Sequence, residues 1–388
     1  MGKNKKLITL FVVILLQAIL ISIAYAIGFW LGSTRGGLMG EFPILAESYE
    51  ILKENTIKEL PSPKAMEYGM VRGLLQVLND PYTIFVEPPQ HKLETNQLEG
   101  KFGGIGARIE RNPAGKYLLF PYIDSPAKLA GIQDADQLEK VDDFVIGSDT
   151  TVEDVTAAVR GDVGTTVKIS ISRTSSQEEV MYSIVRKEIT LPSLSWNLIP
   201  DQPQIGLVQI NIISATTPDE VIKAINDLKS KNASHFIIDL RNNGGGLVDA
   251  GLKTAALFLN SGVIIEQQYR GQPKKDFPVN KPGLFADIPA VILINHGTAS
   301  AAEIIAGSLQ VQKRVQLIGS PSYGKDSIQL VFDLSDGSSL HVTAAHWWIP
   351  GLVFPNNGTG LIPDILFPEE ETQSPKLLQA AIEKVLEN

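Results

Sequence analysis

The chain has 388 residues, 44% of them hydrophobic and 20% charged, and a formal net charge of −9. That length suggests two or three domains, and the composition a globular protein with a sizeable core. The acidic balance argues against a nucleic-acid partner, and the absence of cysteine excludes disulfides, thiolate metal sites and a cysteine nucleophile.

In chain order, Lys3, Lys5 and Lys6 precede an uncharged, mostly apolar stretch from Leu7 to about Leu31, longer than the roughly 20 residues that span a bilayer. Ala24-Tyr25-Ala26 resembles a signal-peptidase site, yet the apolar run continues past it through Ile27, Phe29 and Trp30. The expectation is an uncleaved signal anchor over 1–37, a transmembrane helix with its lysines inside and all that follows Gly37 on the extracytoplasmic side. Residues 38–97 read as a helical N-terminal region. Ile44, Leu45, Tyr49 and Leu52, then Met66, Met70, Leu74, Leu75 and Leu78, recur at helical spacing, and Asn79-Asp80-Pro81 stops the second helix.

Over 98–188 the texture changes to short β-branched strands separated by Gly and Asp. Phe102-Gly103-Gly104-Ile105-Gly106, then Asp124-Ser125-Pro126-Ala127-Lys128-Leu129-Ala130-Gly131-Ile132, and later Arg160-Gly161-Asp162-Val163-Gly164-Thr165, resemble the elements of a PDZ domain. Such a domain holds a peptide C-terminus by strand addition, with backbone N–H groups of a Gly-rich loop on the carboxylate. Gly103, Gly104, Ile105 and Gly106 are the candidate peptide-binding loop. Gln133-Asp134-Ala135-Asp136-Gln137 stands where that pattern usually has a Gly-Asp pair.

From 189 to 388 strands and helices alternate. The strand Ile205–Ile210 leads to a helix capped near Thr217-Pro218, and Phe236–Leu240 runs into Arg241-Asn242-Asn243-Gly244-Gly245-Gly246. Ala290–Ile294 is a buried strand that ends at Asn295-His296-Gly297-Thr298-Ala299-Ser300, with a helix from Ala301. Val315–Ile318 runs into Gly319-Ser320-Pro321-Ser322-Tyr323-Gly324-Lys325. This β-α-β-α order predicts a mostly parallel, layered α/β core.

Four chemistries compete for these motifs. Ser300 lacks the G-x-S-x-G form of an α/β-hydrolase elbow, and no H-E-x-x-H occurs among the five histidines. Gly319–Lys325 fits a phosphate loop, but Asp326 follows where magnesium needs Ser or Thr, and a strand follows where a helix is needed. A serine–lysine pair remains: a lysine serves as base when burial lowers its pKa. Backbone N–H groups at Ala301 and Gly245 could then hold the oxyanion. The bland alternative is a serine that caps a helix and a lysine in a solvated turn.

Asn79-Asp80-Pro81-Tyr82, Asp239-Leu240-Arg241-Asn242-Asn243, Gly297-Thr298-Ala299-Ser300-Ala301, Tyr323-Gly324-Lys325-x-Ser327-Ile328-Gln329 and Gly360-Leu361-Ile362-Pro363-Asp364 carry a resemblance to the carboxy-terminal processing peptidases, the tail-specific serine protease family. The resemblance implies an α/β peptidase core similar to the crotonase and Clp-protease type, with Ser300 as nucleophile, Lys325 as general base and Gln329 orienting the lysine. It implies protein substrates bound through their C-terminal tails, and no cofactor or metal. An activating partner or a homo-oligomer is compatible with the chain, which names neither. The rival expectation is a catalytically silent, tail-binding scaffold. Its support is Asp326, which replaces a usual Gly beside the lysine, where a carboxylate would favour the charged amine. Four residues of straight strand span about 13 Å, so a Lys325–Gln329 contact calls for a bend at Asp326-Ser327 or an intermediary.

Overall fold

The computed structural model describes residues 42–387 apart from 148, 174–178 and 353–359. The anchor expected over 1–37 lies outside the described residues, among which no helix is long and apolar enough to cross a membrane. The chain divides into two compact units, one ending at Leu74 and one beginning at Leu75. The first holds α1 (Pro43–Asn55) and most of α2 (Pro63–Val77), each opened by a proline whose missing N–H is unneeded in a first turn.

The second unit opens with β1 (Ile84–Val86), α3 (Pro88–Glu99) and β2 (Lys101–Gly104). There follow β3 (Ala107–Arg111), β4 (Tyr117–Pro121), α4 (Pro126–Ala130), β5 (Asp136–Val141), β6 (Phe144–Val145), α5 (Val152–Val159), β7 (Thr166–Ser172) and β8 (Glu179–Val185). These strands form one antiparallel sheet in the order β3-β4-β5-β7-β8, with β6 beside β5, so that β3 is an edge. A reciprocal capping box between Thr151 and Asp154 starts α5. Ile105, Leu119, Leu138, Val155, Val167 and Ile169 fill a core of their own between sheet and helices. β9 (Lys187–Thr190) returns to pair with β2.

The remainder comprises β10 (Leu194–Ile199), β11 (Gln202–Ile210), α6 (Thr217–Ser230), β12 (His235–Asp239), α7 (Val248–Ala256), β13 (Val263–Tyr269) and β14 (Lys275–Pro278). It continues with β15 (Ala290–Ile294), α8 (Ala301–Val311), β16 (Gln316–Gly319), β17 (Ser327–Asp333), β18 (Ser339–Trp348), β19 (Ile365–Leu366) and α9 (Pro375–Leu386). The central sheet runs β10-β11-β12-β15-β16-β19, parallel from β11 onward, with β10 antiparallel at its edge. Side chains alternate along each strand. Val208, Ile238, Ile292 and Leu317 join the larger core, which includes residues of α6, α7 and α8. Ile205, Ile237, Val291 and Leu293 meet Leu377, Ala381 and Val385 of α9 on the other face. A second sheet, β1-β18-β13-β14, has β17 paired along β18.

Sheet order decides where chemistry can sit. β12, β15 and β16 are neighbours and parallel, so the loops after them, Leu240–Gly246, Asn295–Ser300 and Ser320–Lys325, leave from the same carboxyl edge. In open α/β sheets that edge is where ligands bind.

Gly319 closes β16 at φ 138, and a Cβ there would fall on the carbonyl oxygen of Ile294. Gly271 also has positive φ (72), but with nothing within 4 Å of a Cβ. Gly319→Ala is therefore expected to destabilise by well over the roughly 1–3 kcal/mol of a strained backbone alone, whereas Gly271→Ala stays within that range. Urea unfolding of the two variants checks the difference.

Candidate active site

Ser300 stands between β15 and α8 with φ 55 and ψ −121. This is outside the extended region of an ordinary N-cap, and a non-glycine residue held there stores strain that the surroundings must pin. The pinning is visible. Thr298 Oγ1 donates to the Leu240 carbonyl at 2.8 Å, Ala299 N to the Asn243 carbonyl at 2.9 Å, and Asn242 N to Asn295 Oδ1 at 2.8 Å. The loops after β12 and β15 are thus laced together. Ser300 sits in a sharp strand-to-helix elbow of the kind G-x-S-x-G produces, here without that motif; Thr298 and Ala302 stand where it has its glycines.

The side chain that organises the turn is Glu303, fully buried in the first turn of α8. Its Oε2 accepts from Ser300 N at 2.8 Å and from Lys325 N at 3.0 Å. Its Oε1 accepts from Ser322 Oγ at 2.6 Å and from Gly324 N at 2.7 Å. One carboxylate therefore fastens the serine turn to the lysine loop. Burial pushes its pKa up, against the four hydrogen bonds that favour the ion. The Ser-x-x-Glu spacing of a capping box was present in the sequence and would have found it.

Lys325 precedes β17, and its Nζ donates to Gln329 Oε1 at 2.6 Å. The contact is direct, and the irregularity that permits it is a register shift between Ile328 and Gln329 rather than at Asp326-Ser327. Gln329 Nε2 in turn donates to the Tyr82 carbonyl. Burial pushes the Lys325 pKa below its ordinary 10.5, partly offset by the charges of Glu303 and Asp80. Asp326 is absent from those influences, its carboxylate lying 3.6 Å from His346 Nδ1. Among the described residues, no hydrogen bond joins Nζ to the Ser300 hydroxyl.

The backbone donors differ from expectation in one respect. Ala301 N–H opens α8, where helix geometry offers it no internal acceptor. Gly245 N–H, expected to face an oxyanion, donates instead to Asn243 Oδ1 at 2.9 Å. A Cβ at Gly245 (φ 99) would lie 2.8 Å from both Ala299 O and Ser300 Cβ, so the residue is glycine because the chain passes hard against the serine. Gly244 has open space around it. Beside the serine loop, a mostly apolar cavity of about 630 Å³ is lined by His296, Ser320, Pro321 and Leu366–Glu369.

The second group of candidate residues lies in the antiparallel domain. Gly103 and Gly104 do not form a free loop: both belong to β2, paired with Glu188 and Lys187 of β9. A Cβ at Gly103 would fall on the Gly161 carbonyl, so its small size serves a backbone crossing. Ile105 is buried in the domain core, and Ile105-Gly106 alone bridges β2 and β3. Next to that bridge a groove of about 520 Å³ runs between edge strand β3 and helix α5, lined by Ile105, Gly106, Ala107, Ile109, Val159 and Arg160 among others. The Arg160 guanidinium lies 3.9 Å over the Phe102 ring, with Nε and Nη1 buried and without a hydrogen-bond acceptor. Burial pushes its pKa down, as expected of a cation lacking a counter-charge. Sequence reasoning placed Arg160 in a turn and did not single it out.

The profile of peptidase family S41 matches residues 204–367. A carboxyl-terminal-processing protease of Picosynechococcus is 32% identical over 340 residues, 84% of this chain and 78% of that protein. The carboxy-terminal processing protease CtpA of Bacillus subtilis is 33% identical over 308 residues, 79% of this chain and 65% of that protein. The solved structure of a photosystem II D1 C-terminal processing protease is 27% identical, covers 86% of this chain and 89% of its own, and superposes with a TM-score of 0.46.

Glu303→Gln tests the carboxylate's role. An amide offers one acceptor oxygen and a donor nitrogen to four donors, leaving at least one loop unfastened. Each buried donor left without a partner costs about 1–3 kcal/mol, so the urea midpoint should fall clearly. A variant as stable as the parent would show that the four contacts carry no net stability.

Proposed function

The chain belongs to the carboxyl-terminal-processing proteases of peptidase family S41, a family of serine-type peptidases, and on that premise we propose that it cleaves proteins near their C-termini with a Ser300–Lys325 pair. The observation that carries the proposal is the fastening of the two loops by Glu303, which holds a strained serine and a desolvated lysine at one edge of the sheet. In this reading neutral Lys325 takes the Ser300 proton as the hydroxyl oxygen attacks the scissile carbonyl, then passes it to the leaving amine. Gln329 holds the amine by one hydrogen, and Ala301 N–H supports the oxyanion. Water then repeats the sequence on the acyl-enzyme.

The antiparallel domain acts in this reading as a PDZ domain. A substrate tail adds to β3, its alternate apolar side chains enter the groove against α5, and its carboxylate meets Arg160. Strand addition suits an edge strand, and the Arg160 Nε and Nη1, buried without an acceptor, are what a carboxylate would satisfy. The segment Leu7–Leu31, flanked by Lys3, Lys5 and Lys6, would anchor the enzyme with this domain and the catalytic residues outside the cytoplasm.

Ser300→Ala and Lys325→Ala are each expected to slow digestion of an unfolded test protein by at least about a thousandfold. Equal silence of the parent, with retained tail binding, would favour the scaffold alternative. Because the base must be neutral, kcat/KM should rise with pH through the Lys325 pKa, on a limb below the ordinary 10.5. Arg160→Ala is expected to raise KM about tenfold or more for peptides with a free C-terminus and to leave amidated peptides unchanged. Equal effects on both would sink the carboxylate assignment.

A further inference from the structure

Asn79-Asp80-Pro81-Tyr82 marks the chain as a family member but carries no chemistry in the reading above. We propose that Tyr82 is a positioning residue for the lysine base: its ring covers the Lys325 amine, and its backbone carbonyl fixes the Gln329 carboxamide that holds the same amine. The proposal rests on the serine–lysine reading and adds to it the group that prepares the base.

Two contacts, one from the ring and one from the main chain, converge from a single residue. Lys325 Nζ lies 5.0 Å from the centroid of the Tyr82 ring, inside the range over which a cation is attracted to an aromatic face. The Tyr82 carbonyl receives Gln329 Nε2. A carbonyl can only accept, so the amide's NH₂ end must face Tyr82 and its oxygen end is turned to Nζ. With the amide reversed, its NH₂ group would oppose the lysine's own hydrogens. Tyr82 thereby sets the orientation of Gln329. A neutral amine with one hydrogen on Gln329 and one side under the ring has few directions left for its lone pair.

Tyr82 is itself fastened. Asp80 Oδ1 accepts from Tyr82 N at 3.0 Å and Asp80 Oδ2 from Thr83 Oγ1 at 2.6 Å. Thr343 N of β18 donates to Thr83 Oγ1 at 3.1 Å, and β1 pairs with β18 immediately afterwards. The Tyr82 and Tyr323 hydroxyls are 3.5 Å apart, which ties the ring to the residue two before the lysine. That contact, with burial, pushes the Tyr82 hydroxyl up to about 12, so it stays protonated and cannot replace Lys325 as base.

The charged groups acting on Nζ are Glu303 of α8 and Asp80 before β1, both favouring the ammonium. From β18 the half-buried His341 feels the lysine's charge, and Asp326, next in the chain, sits against His346. Against the two carboxylates stands burial, to which the Tyr82 ring contributes. Ring removal therefore has two separable consequences. Loss of the aromatic face weakens the ammonium, and admission of water strengthens it.

The test uses the full chain with Tyr82→Leu, Tyr82→Ala, Tyr82→Phe, Ser300→Ala and Lys325→Ala. The pH midpoint of Lys325 acylation by an amine-selective reagent is read by peptide mass spectrometry, which needs no turnover, alongside kcat and KM. Tyr82→Leu keeps the cover without the π face, and its midpoint should fall by about half a pH unit. Tyr82→Ala opens the amine to water, and its midpoint should rise toward 10.5. Tyr82→Phe keeps ring and carbonyl, and its midpoint should stay with the parent's. In the Leu and Ala variants kcat should drop at least about tenfold with KM within about twofold. Midpoints unmoved in both variants overturn the proposal, even where activity falls along with thermal stability. If Lys325→Ala cleaves as fast as the parent while Ser300→Ala is silent, the serine–lysine reading fails instead, and the labelling midpoints still decide whether Tyr82 governs the amine.

Discussion

The carboxyl edge of the central sheet depends on one buried carboxylate. Bringing Glu303 out of water costs several kcal/mol by itself, and it is tolerable because all four of its contacts are donors. The arrangement works in both directions. The carboxylate needs those N–H and O–H groups, and the loops need it, since neither continues a helix or strand that would satisfy their own amides. Ser300 can hold a strained conformation because its N–H is gripped from the far side of the turn.

The same carboxylate works against the lysine. Its charge favours the ammonium form, as does Asp80, and what prevails is burial. In the proposed mechanism the base is thus a compromise between an anion needed for architecture and a dry surrounding needed for proton transfer. Asp326 is not among the main charges acting on this amine: its carboxylate lies 3.6 Å from His346 Nδ1, and its charge is felt at the Tyr82 hydroxyl.

Much of this was legible beforehand, for identifiable reasons. Strands such as Ala290–Ile294 announce themselves by length and branching, and their alternation with helices implies a parallel sheet whose carboxyl edge collects Ser300 and Lys325. The elbow was hidden, because its strain depends on lacing between Asn242, Asn243 and Asn295 rather than on flanking glycines. Gly103 and Gly104, read as part of a loop, lie in a paired strand for a related reason. Glycine marks close approach without saying to what, and here the approach is to the Gly161 backbone. Gly245 was read as an oxyanion donor, and its N–H is engaged by the Asn243 side chain, a contact no spacing rule displays. Arg160 and Tyr82 act across folded distance, the one on an aromatic ring and a groove, the other on a lysine far along the chain.

That distance has a bearing on when the site comes into being. Glu303 and Lys325 are 22 residues apart, whereas Tyr82 and Gln329 are separated by 247. Loop-closure entropy makes the first link quick to form and the second slow. The serine and its carboxylate are three residues apart and the lacing of the elbow to the loop after β12 spans 53, but the lysine is covered only after β17 and β18 have been made and have folded back onto β1, laid down long before. On the proposed serine–lysine mechanism, a half-made chain therefore carries its serine beside an amine still exposed and charged, and is harmless to the unfolded chains around it. On that mechanism cutting power arrives with the last act of folding.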